Sequence, residues 1–313
     1  MYISEDEVRA ALTYEALIPT IRQALIDYSA GLVHQPPRAI LRAGNAEGAN
    51  NGWFAVMPVI AGDVMGVKTV TFYPGNAELG LPTHMAMIEL LRRSTGEPLA
   101  LMDGRLITEM RTAAVSAVAF ATLAPLHFAV APASFGILGS GVQAHAHIQA
   151  LRLVWPALRA EDIRIWSRTA AHAERLAAET GARAVAVEEA AAAEVVLTAT
   201  SSPGPVLQGR WLAPNALVLA VGATGNTLRE LDDEAMRASF VVAESRASVE
   251  RESGDVRLSG ARVEAEIGEV LAGSASGAVP RNGRIVFKSV GMAIEDLTAA
   301  RLVWQAHNSA ASP

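Results

Sequence analysis

The sequence contains no cysteine, which excludes disulfide bridges, thiolate nucleophiles and cysteine-ligated zinc, so its chemistry must rest on other side chains. It also lacks any run of Lys or Arg. With a formal net charge of −6 and a pI near 5.7, the chain offers no basic footprint for a phosphate backbone, and no nucleic-acid partner is expected. The opening Met1-Tyr2-Ile3-Ser4-Glu5-Asp6-Glu7 has neither the basic nor the apolar region of a secretion signal, which predicts a cytoplasmic location. Ala113 to Ala133 is apolar enough to raise the question of a membrane. It holds Pro125, His127 and Pro132 and is rich in small Ala, so it reads as a buried helix followed by a strand, and no membrane partner is expected. Internal repeats are absent.

What remains is a globular chain of 313 residues with 51% hydrophobic content, long enough for a large core and for two domains. Its organising stretch is Phe135-Gly136-Ile137-Leu138-Gly139-Ser140-Gly141-Val142-Gln143-Ala144. A short apolar run precedes the glycines, and Ile148, Leu151, Val154 and Trp155 follow at helical spacing, so the glycines sit where a strand hands over to a helix. That context suits a dinucleotide fingerprint. Gly139 permits the turn, Gly141 lets the backbone approach a pyrophosphate, and the dipole of the following helix favours its charge. The competing reading is an ordinary glycine turn between two elements.

Along the chain, Ser4 followed by three acids predicts a capped helix, and Tyr14 to Ser29 a second helix closed by Gly31. From Arg38 the pattern changes to β-favouring runs: Arg38 to Arg42, Trp53 to Val59, Asp63 to Phe72, Met85 to Leu91 and Leu99 to Leu101, a sheet made largely of hairpins. A long helix begins at Thr108. After the glycine turn, strands at Asp162 to Trp166, Ala182 to Val187, Glu194 to Thr198, Ala216 to Val221, Phe240 to Ala243 and Ile285 to Val290 alternate with helical stretches, ending in a helix from Ala293. The expected fold is α/β: a Rossmann domain with a doubly wound parallel sheet over residues 114–292, and a second α+β domain for substrate binding and dimerisation over 1–113, completed by the helix 293–313.

In a fold of this kind the end of the second strand meets the adenosine ribose, where a carboxylate selects NAD. Here that place holds Ser167-Arg168-Thr169, a guanidinium and two hydroxyls that suit a 2′-phosphate, so NADP(H) is favoured and NAD(H) remains possible. Arg168 could equally be a solvated residue at a helix start. Among the first domain's cations, Arg42, Lys68 and Arg111 lie beside apolar strand residues or at a helix start, and Lys68 is the sharpest. On a central strand its ammonium would need an anionic partner, for which a substrate carboxylate would serve. His145 and His147, two apart on a helix, face different sides, and no metal site is expected.

Gly66-Val67-Lys68, Thr108-Glu109-Met110-Arg111-Thr112-Ala113-Ala114, Gly139-Ser140-Gly141-Val142-Gln143-Ala144, Arg229-Glu230-Leu231-Asp232 and Phe287-Lys288-Ser289-Val290-Gly291 together resemble the ornithine cyclodeaminase/mu-crystallin family, across nearly the whole chain. The resemblance implies a homodimer formed by the first domain and the terminal helix. It implies that Arg42, Lys68 and Arg111 hold a substrate carboxylate and that Val290 faces the substrate. It further implies that Thr83, Arg111, Thr112, Val142, Gln143, Thr200, Val221 and Ser289 touch the nucleotide, beside Gly139 and Gly141.

One departure bears on the chemistry. The cyclodeaminases carry an Asp directly after a Val-Gly-Gly or Val-Gly-Ala turn and a Lys four positions later; here those places hold Thr224 and Leu228. A threonine cannot serve as a carboxylate base at neutral pH. The resemblance therefore points toward a ketimine reductase: an NAD(P)H-dependent oxidoreductase acting on a cyclic imino acid such as pyrroline-2-carboxylate or piperideine-2-carboxylate, with Lys68 and Thr224 at the reacting centre. The alternatives are an ornithine cyclodeaminase, an amino acid dehydrogenase such as alanine dehydrogenase, and a nucleotide-dependent binding protein without turnover.

Overall fold

Ser4 caps the first helix as its sequence predicts: it accepts from the Glu7 amide while the Glu7 carboxylate accepts from the Ser4 N–H, a reciprocal capping box. The computed structural model describes residues 1–43 and 52–310. The chain divides into two compact units, Met1–Arg111 with Met292–Pro313, and Thr112–Gly291. Residues 311–313 of the expected terminal helix lie outside the described residues.

The first unit contains β1 (Tyr2–Ile3), α1 (Glu5–Ala11), α2 (Tyr14–Ser29), β2 (Ala39–Ala43), β3 (Gly52–Ala61), β4 (Val64–Phe72), β5 (His84–Arg92) and β6 (Pro98–Asp103). Among the described residues its sheet runs β1-β6-β5-β4-β3-β2. Strands β2 to β6 are antiparallel neighbours, as their hairpin spacing predicts, whereas the two-residue β1 pairs in parallel with β6 and left no pattern to read. Alternation sorts the two faces: Ala55, Met57, Val59, Val64, Val70, Ala86, Ile88 and Leu90 are buried on one, against which the C-terminal helix Ala293–Ala310 packs. Lys68 belongs to that covered face, opposite Met57 and Ile88.

The helix α3 (Arg105–His127) carries the chain across the unit division, which falls after Arg111. It is long and apolar enough to cross a membrane by length and composition, yet Ala113, Ala114, Val115, Ala117 and Ala119 are fully buried within the fold.

The second unit then alternates β7 (Phe135–Leu138), α4 (Val142–Val154), β8 (Ile163–Trp166), α5 (Ala170–Thr180), β9 (Arg183–Ala184), β10 (Val195–Thr198), β11 (Leu217–Ala220), β12 (Ser239–Ala243), β13 (Val263–Glu266) and β14 (Arg284–Lys288). The sheet runs β13-β12-β14-β11-β10-β7-β8-β9 with every described pairing parallel. Strands β7, β10 and β11 are buried at every position, as a parallel sheet covered on both faces requires. Two expectations are corrected. The strand expected over Ala182 to Val187 shrinks to the two-residue edge β9, because Val187 already opens a short helix. The last strand ends at Lys288, so Ser289 to Gly291 form a loop at its carboxyl end.

Candidate active site

In the first unit four charged side chains meet in the interior. Lys68 Nζ lies 2.6 Å from Asp296 Oδ2 and 3.4 Å from Thr108 Oγ1. Arg111 donates from Nη1 to Glu295 Oε2 at 2.7 Å and from Nε to Asp296 Oδ1 at 3.1 Å. Lys68 and Asp296 are only 3% and 1% exposed, so neither charge has bulk water to stabilise it. The expected anionic partner of Lys68 is therefore resident: Asp296 occupies the role that the sequence assigned to a substrate carboxylate. Burial lowers the Lys68 ammonium to about 8, against the pull of Asp296, with Arg111 adding to the lowering. Burial also presses on the Asp296 carboxyl from above, but Arg111 and Lys68 outweigh it and hold Asp296 below its ordinary value. His84, at the start of β5, is pushed down to about 4 by burial and then by Lys68 and Arg111, and is neutral at pH 7. Thr83 precedes it and is half-buried, while Arg42 is exposed on β2.

In the second unit the functional residues sit at the carboxyl ends of the strands. Gly139 has φ +122°, and a Cβ there would lie 2.4 Å from the Ala199 carbonyl oxygen, so the turn after β7 admits only glycine. A Cβ at Gly141 would meet nothing within 4 Å, which leaves open space beside the backbone at the N-cap of α4. Among the described residues no side chain caps that helix, and the buried Gln143 Oε1 has no hydrogen-bond partner. An open cradle at a helix N-terminus fits a nucleotide pyrophosphate. Beside it, Ser140 Oγ donates to Ser167 Oγ at 2.9 Å, and Arg168 and Thr169 follow, both exposed. Thr112 and Val221 are buried, Val142 is 60% exposed and Thr224 is exposed. Val290, expected to face the substrate, packs at 3% exposure within the unit's own hydrophobic core. His147 donates from Nδ1 to the Gln143 carbonyl and accepts at Nε2 from the Ser116 hydroxyl, and burial lowers it to about 4, a structural role.

These residues carry the motifs of one family over the whole length. The chain matches the ornithine cyclodeaminase/mu-crystallin family over residues 1–311. It belongs to that family. Among similar proteins, the ketimine reductase mu-crystallin of Mus musculus is 39% identical, over 98% of this chain and 97% of that one. The Delta(1)-pyrroline-2-carboxylate/Delta(1)-piperideine-2-carboxylate reductase of Azospirillum brasilense is 36% identical over 94% and 92%. A solved structure of Thermococcus litoralis Delta(1)-pyrroline-2-carboxylate reductase, in complex with NADH and L-proline, superposes with a TM-score of 0.89 at 30% identity, covering 99% of this chain and 98% of that one.

For this member of the ornithine cyclodeaminase/mu-crystallin family, several buried acids escaped the sequence reading. Glu295 and Asp296 stand in the first turn of the C-terminal helix, where acids ordinarily satisfy a helix dipole, and that explanation hid their role as ion-pair partners. Glu230 and Glu244, both fully buried, accept from the loops after β10, β11 and β14. Burial pushes the Glu230 carboxyl up from its ordinary value, while Lys288 and the bonds from Thr200 act against that push. For Glu244 and Glu295 the available signal was position, since each follows an apolar run that ought to be buried; Glu230, directly after Arg229, offers no such signal.

Proposed function

We propose that this protein reduces cyclic imino acids of the pyrroline-2-carboxylate and piperideine-2-carboxylate class with a reduced nicotinamide nucleotide, NADPH in preference to NADH. The observation that carries the reading is Lys68, a buried ammonium lowered to about 8 and held by Asp296 and Thr108. Reduction of a C=N bond needs a hydride at carbon and a proton at nitrogen. A bound nicotinamide supplies the hydride. Lys68 Nζ holds the proton, and a pKa near 8 keeps it charged at neutral pH yet able to give that proton up.

The four buried charges of Lys68, Arg111, Glu295 and Asp296 sum to zero, so a substrate carboxylate needs further positive charge. Arg38, whose field is felt at Lys68, and the exposed Arg42 supply it, with Arg111 orienting the anion. Gly139, Gly141, Val142 and Gln143 would hold the pyrophosphate, Ser167, Arg168 and Thr169 a 2′-phosphate, and Thr83, Thr112, Thr200, Val221 and Ser289 the rest of the nucleotide. Thr224 argues against the lyase reading, because it offers no carboxylate where a cyclodeaminase needs its base. We place the enzyme in the cytoplasm as a homodimer. The similarity to named reductases of this substrate class supports the reading.

The test is a panel of cyclic imino acids and amino acids assayed with both nicotinamides. Stoichiometric consumption of NADPH with imine is expected. Release of ammonia from ornithine without net change in nicotinamide absorbance would overturn the proposal in favour of a cyclodeaminase.

A further inference from the structure

Two fully buried carboxylates, Glu230 and Glu244, stand behind the carboxyl edge of the second unit's sheet. Glu230 accepts five hydrogen bonds. Its Oε1 takes the Thr200 amide at 2.6 Å and the Thr200 hydroxyl at 2.8 Å; its Oε2 takes the Thr198 hydroxyl at 2.9 Å and the Gly222 and Ala223 amides at 2.8 and 3.1 Å. One side chain thus ties the loop after β10 to the loop after β11. Glu244 does the same for the loop after β14, accepting from the Ser289 hydroxyl and from the Val290 and Gly291 amides. Glu230 is itself fixed, since Asp255 accepts from the Glu230 and Leu231 amides at 2.8 and 3.0 Å and pairs with the fully buried Lys288 at 2.9 Å. The fit leaves no slack: a Cβ on Gly222 would lie 2.4 Å from Glu230 Oε1 and 2.3 Å from the Thr200 carbonyl oxygen.

The strand order decides which part of a nucleotide these loops serve. β8, which ends in Ser167-Arg168-Thr169, lies on one side of the glycine strand β7; β10, β11 and β14 lie on the other. A dinucleotide lying across the carboxyl edge with its adenosine over β8 extends its nicotinamide half toward β10 and β11. A carboxylate only accepts, so the Thr200 and Ser289 hydroxyls donate to Glu230 and Glu244, and Thr200 Oγ1 accepts in turn from the Ser202 amide at 3.3 Å, which fixes the loop after β10 further.

We infer that Glu230, with Glu244 beside it, is a positioning residue: it fixes the loops after β10 and β11 as one rigid wall for the nicotinamide half of the nucleotide and contributes nothing to the adenosine half. The inference rests on the nucleotide reading of this unit.

The test titrates the full-length chain with NADP⁺ and, separately, with its adenosine half, adenosine 2′,5′-bisphosphate. Glu230→Gln keeps the shape but turns one oxygen into an NH2 group that faces either the Thr200 amide or the Gly222 and Ala223 amides, so one or two of the five bonds are lost outright while the threonine hydroxyls reverse to accept. The expected result is a loss of NADP⁺ affinity of roughly tenfold or more, the scale of losing a charge-assisted hydrogen bond, with adenosine 2′,5′-bisphosphate affinity unchanged. Equal weakening of both ligands, or of neither, would overturn the inference. Thr198→Val, near-isosteric and outside the ligand-facing residues, removes one donor only and guards against a Glu230→Gln chain that does not fold. It should weaken NADP⁺ alone, by a smaller factor, and an unchanged NADP⁺ affinity would count against the positioning role. A parent protein that binds neither ligand would instead remove the nucleotide reading, and this inference with it.

Discussion

Lys68 is where the physics of a single residue is plainest. Its ammonium is lowered because burial strips its hydration, and Asp296, 2.6 Å away, acts against that lowering. On the proposed role, replacing it with alanine removes both the proton source and a charge near the substrate anion. Lys68→Ala should lower kcat/KM for imine reduction by roughly two to four decades while leaving nucleotide affinity unchanged; a variant that reduces cyclic imines at the parental rate would refute the assignment. The pH dependence has a definite sign. The acid form exists below the Lys68 pKa, so kcat/KM should hold below about 8 and fall as pH rises through it. Arg168 is proposed to meet only the nucleotide, at its 2′-phosphate. It is exposed after β8, and Arg168→Ala should weaken NADPH by about 1.5–3 kcal/mol while barely touching NADH, as measured by titration. Equal losses for the two cofactors would show that it is a solvated helix-start residue.

Among the elements, the C-terminal helix and β4 act together, because the helix brings Glu295 and Asp296 to the two cations of the other elements. Removing one member of such a buried group leaves an uncompensated charge, which costs about 3–5 kcal/mol. Asp296→Asn should therefore lower thermal stability markedly, and should move the alkaline fall in kcat/KM to lower pH, since the field holding the Lys68 proton is gone. Replacing both partners by apolar residues, Lys68→Met with Asp296→Leu, should recover part of the stability and none of the activity. If the single variant melts like the parent, the ion pair does not hold the helix. Much of this scale was legible in the sequence. The β-favouring runs gave β3, β4 and β5, and Gly31 marked the end of α2. What escaped has a physical cause. The two-residue strands β1 and β9 are too short for any period to register, and the buried acids look locally like ordinary helix starts or turn residues. Lys68 could be singled out from its strand, but its partner lies 228 positions later, by the difference of 296 and 68, and only folding brings the two together.

For the molecule as a whole, the exposed face of the first unit's sheet is the feature that asks for a partner. The pairings Tyr2 with Leu101, Leu101 with Glu89 and Glu89 with Val67 place these residues on the face opposite Lys68, and Leu41, Phe54, Thr71 and Met85 align on it in the same way. Tyr2, Leu41, Met85 and Leu101 are 57%, 61%, 40% and 43% exposed there. The covered face is already filled by helices, and among the described residues of the unit nothing buries Tyr2, Leu41, Met85 and Leu101. Exposed apolar side chains gathered on one sheet face suit an interface, and a two-fold arrangement of two copies is the commonest closed assembly. A stable interface needs about 800 Å² from each partner, an area that a six-stranded sheet face can supply. Light scattering at micromolar concentration should therefore report a dimer, and the melting temperature should rise with protein concentration, because the partner binds only the folded state. Met85→Glu with Leu101→Lys places charges on the face without disturbing the covered one. The expected outcome is a folded monomer with a lower, concentration-independent melting temperature; a parent protein that scatters as a monomer at micromolar concentration would rule the dimer out.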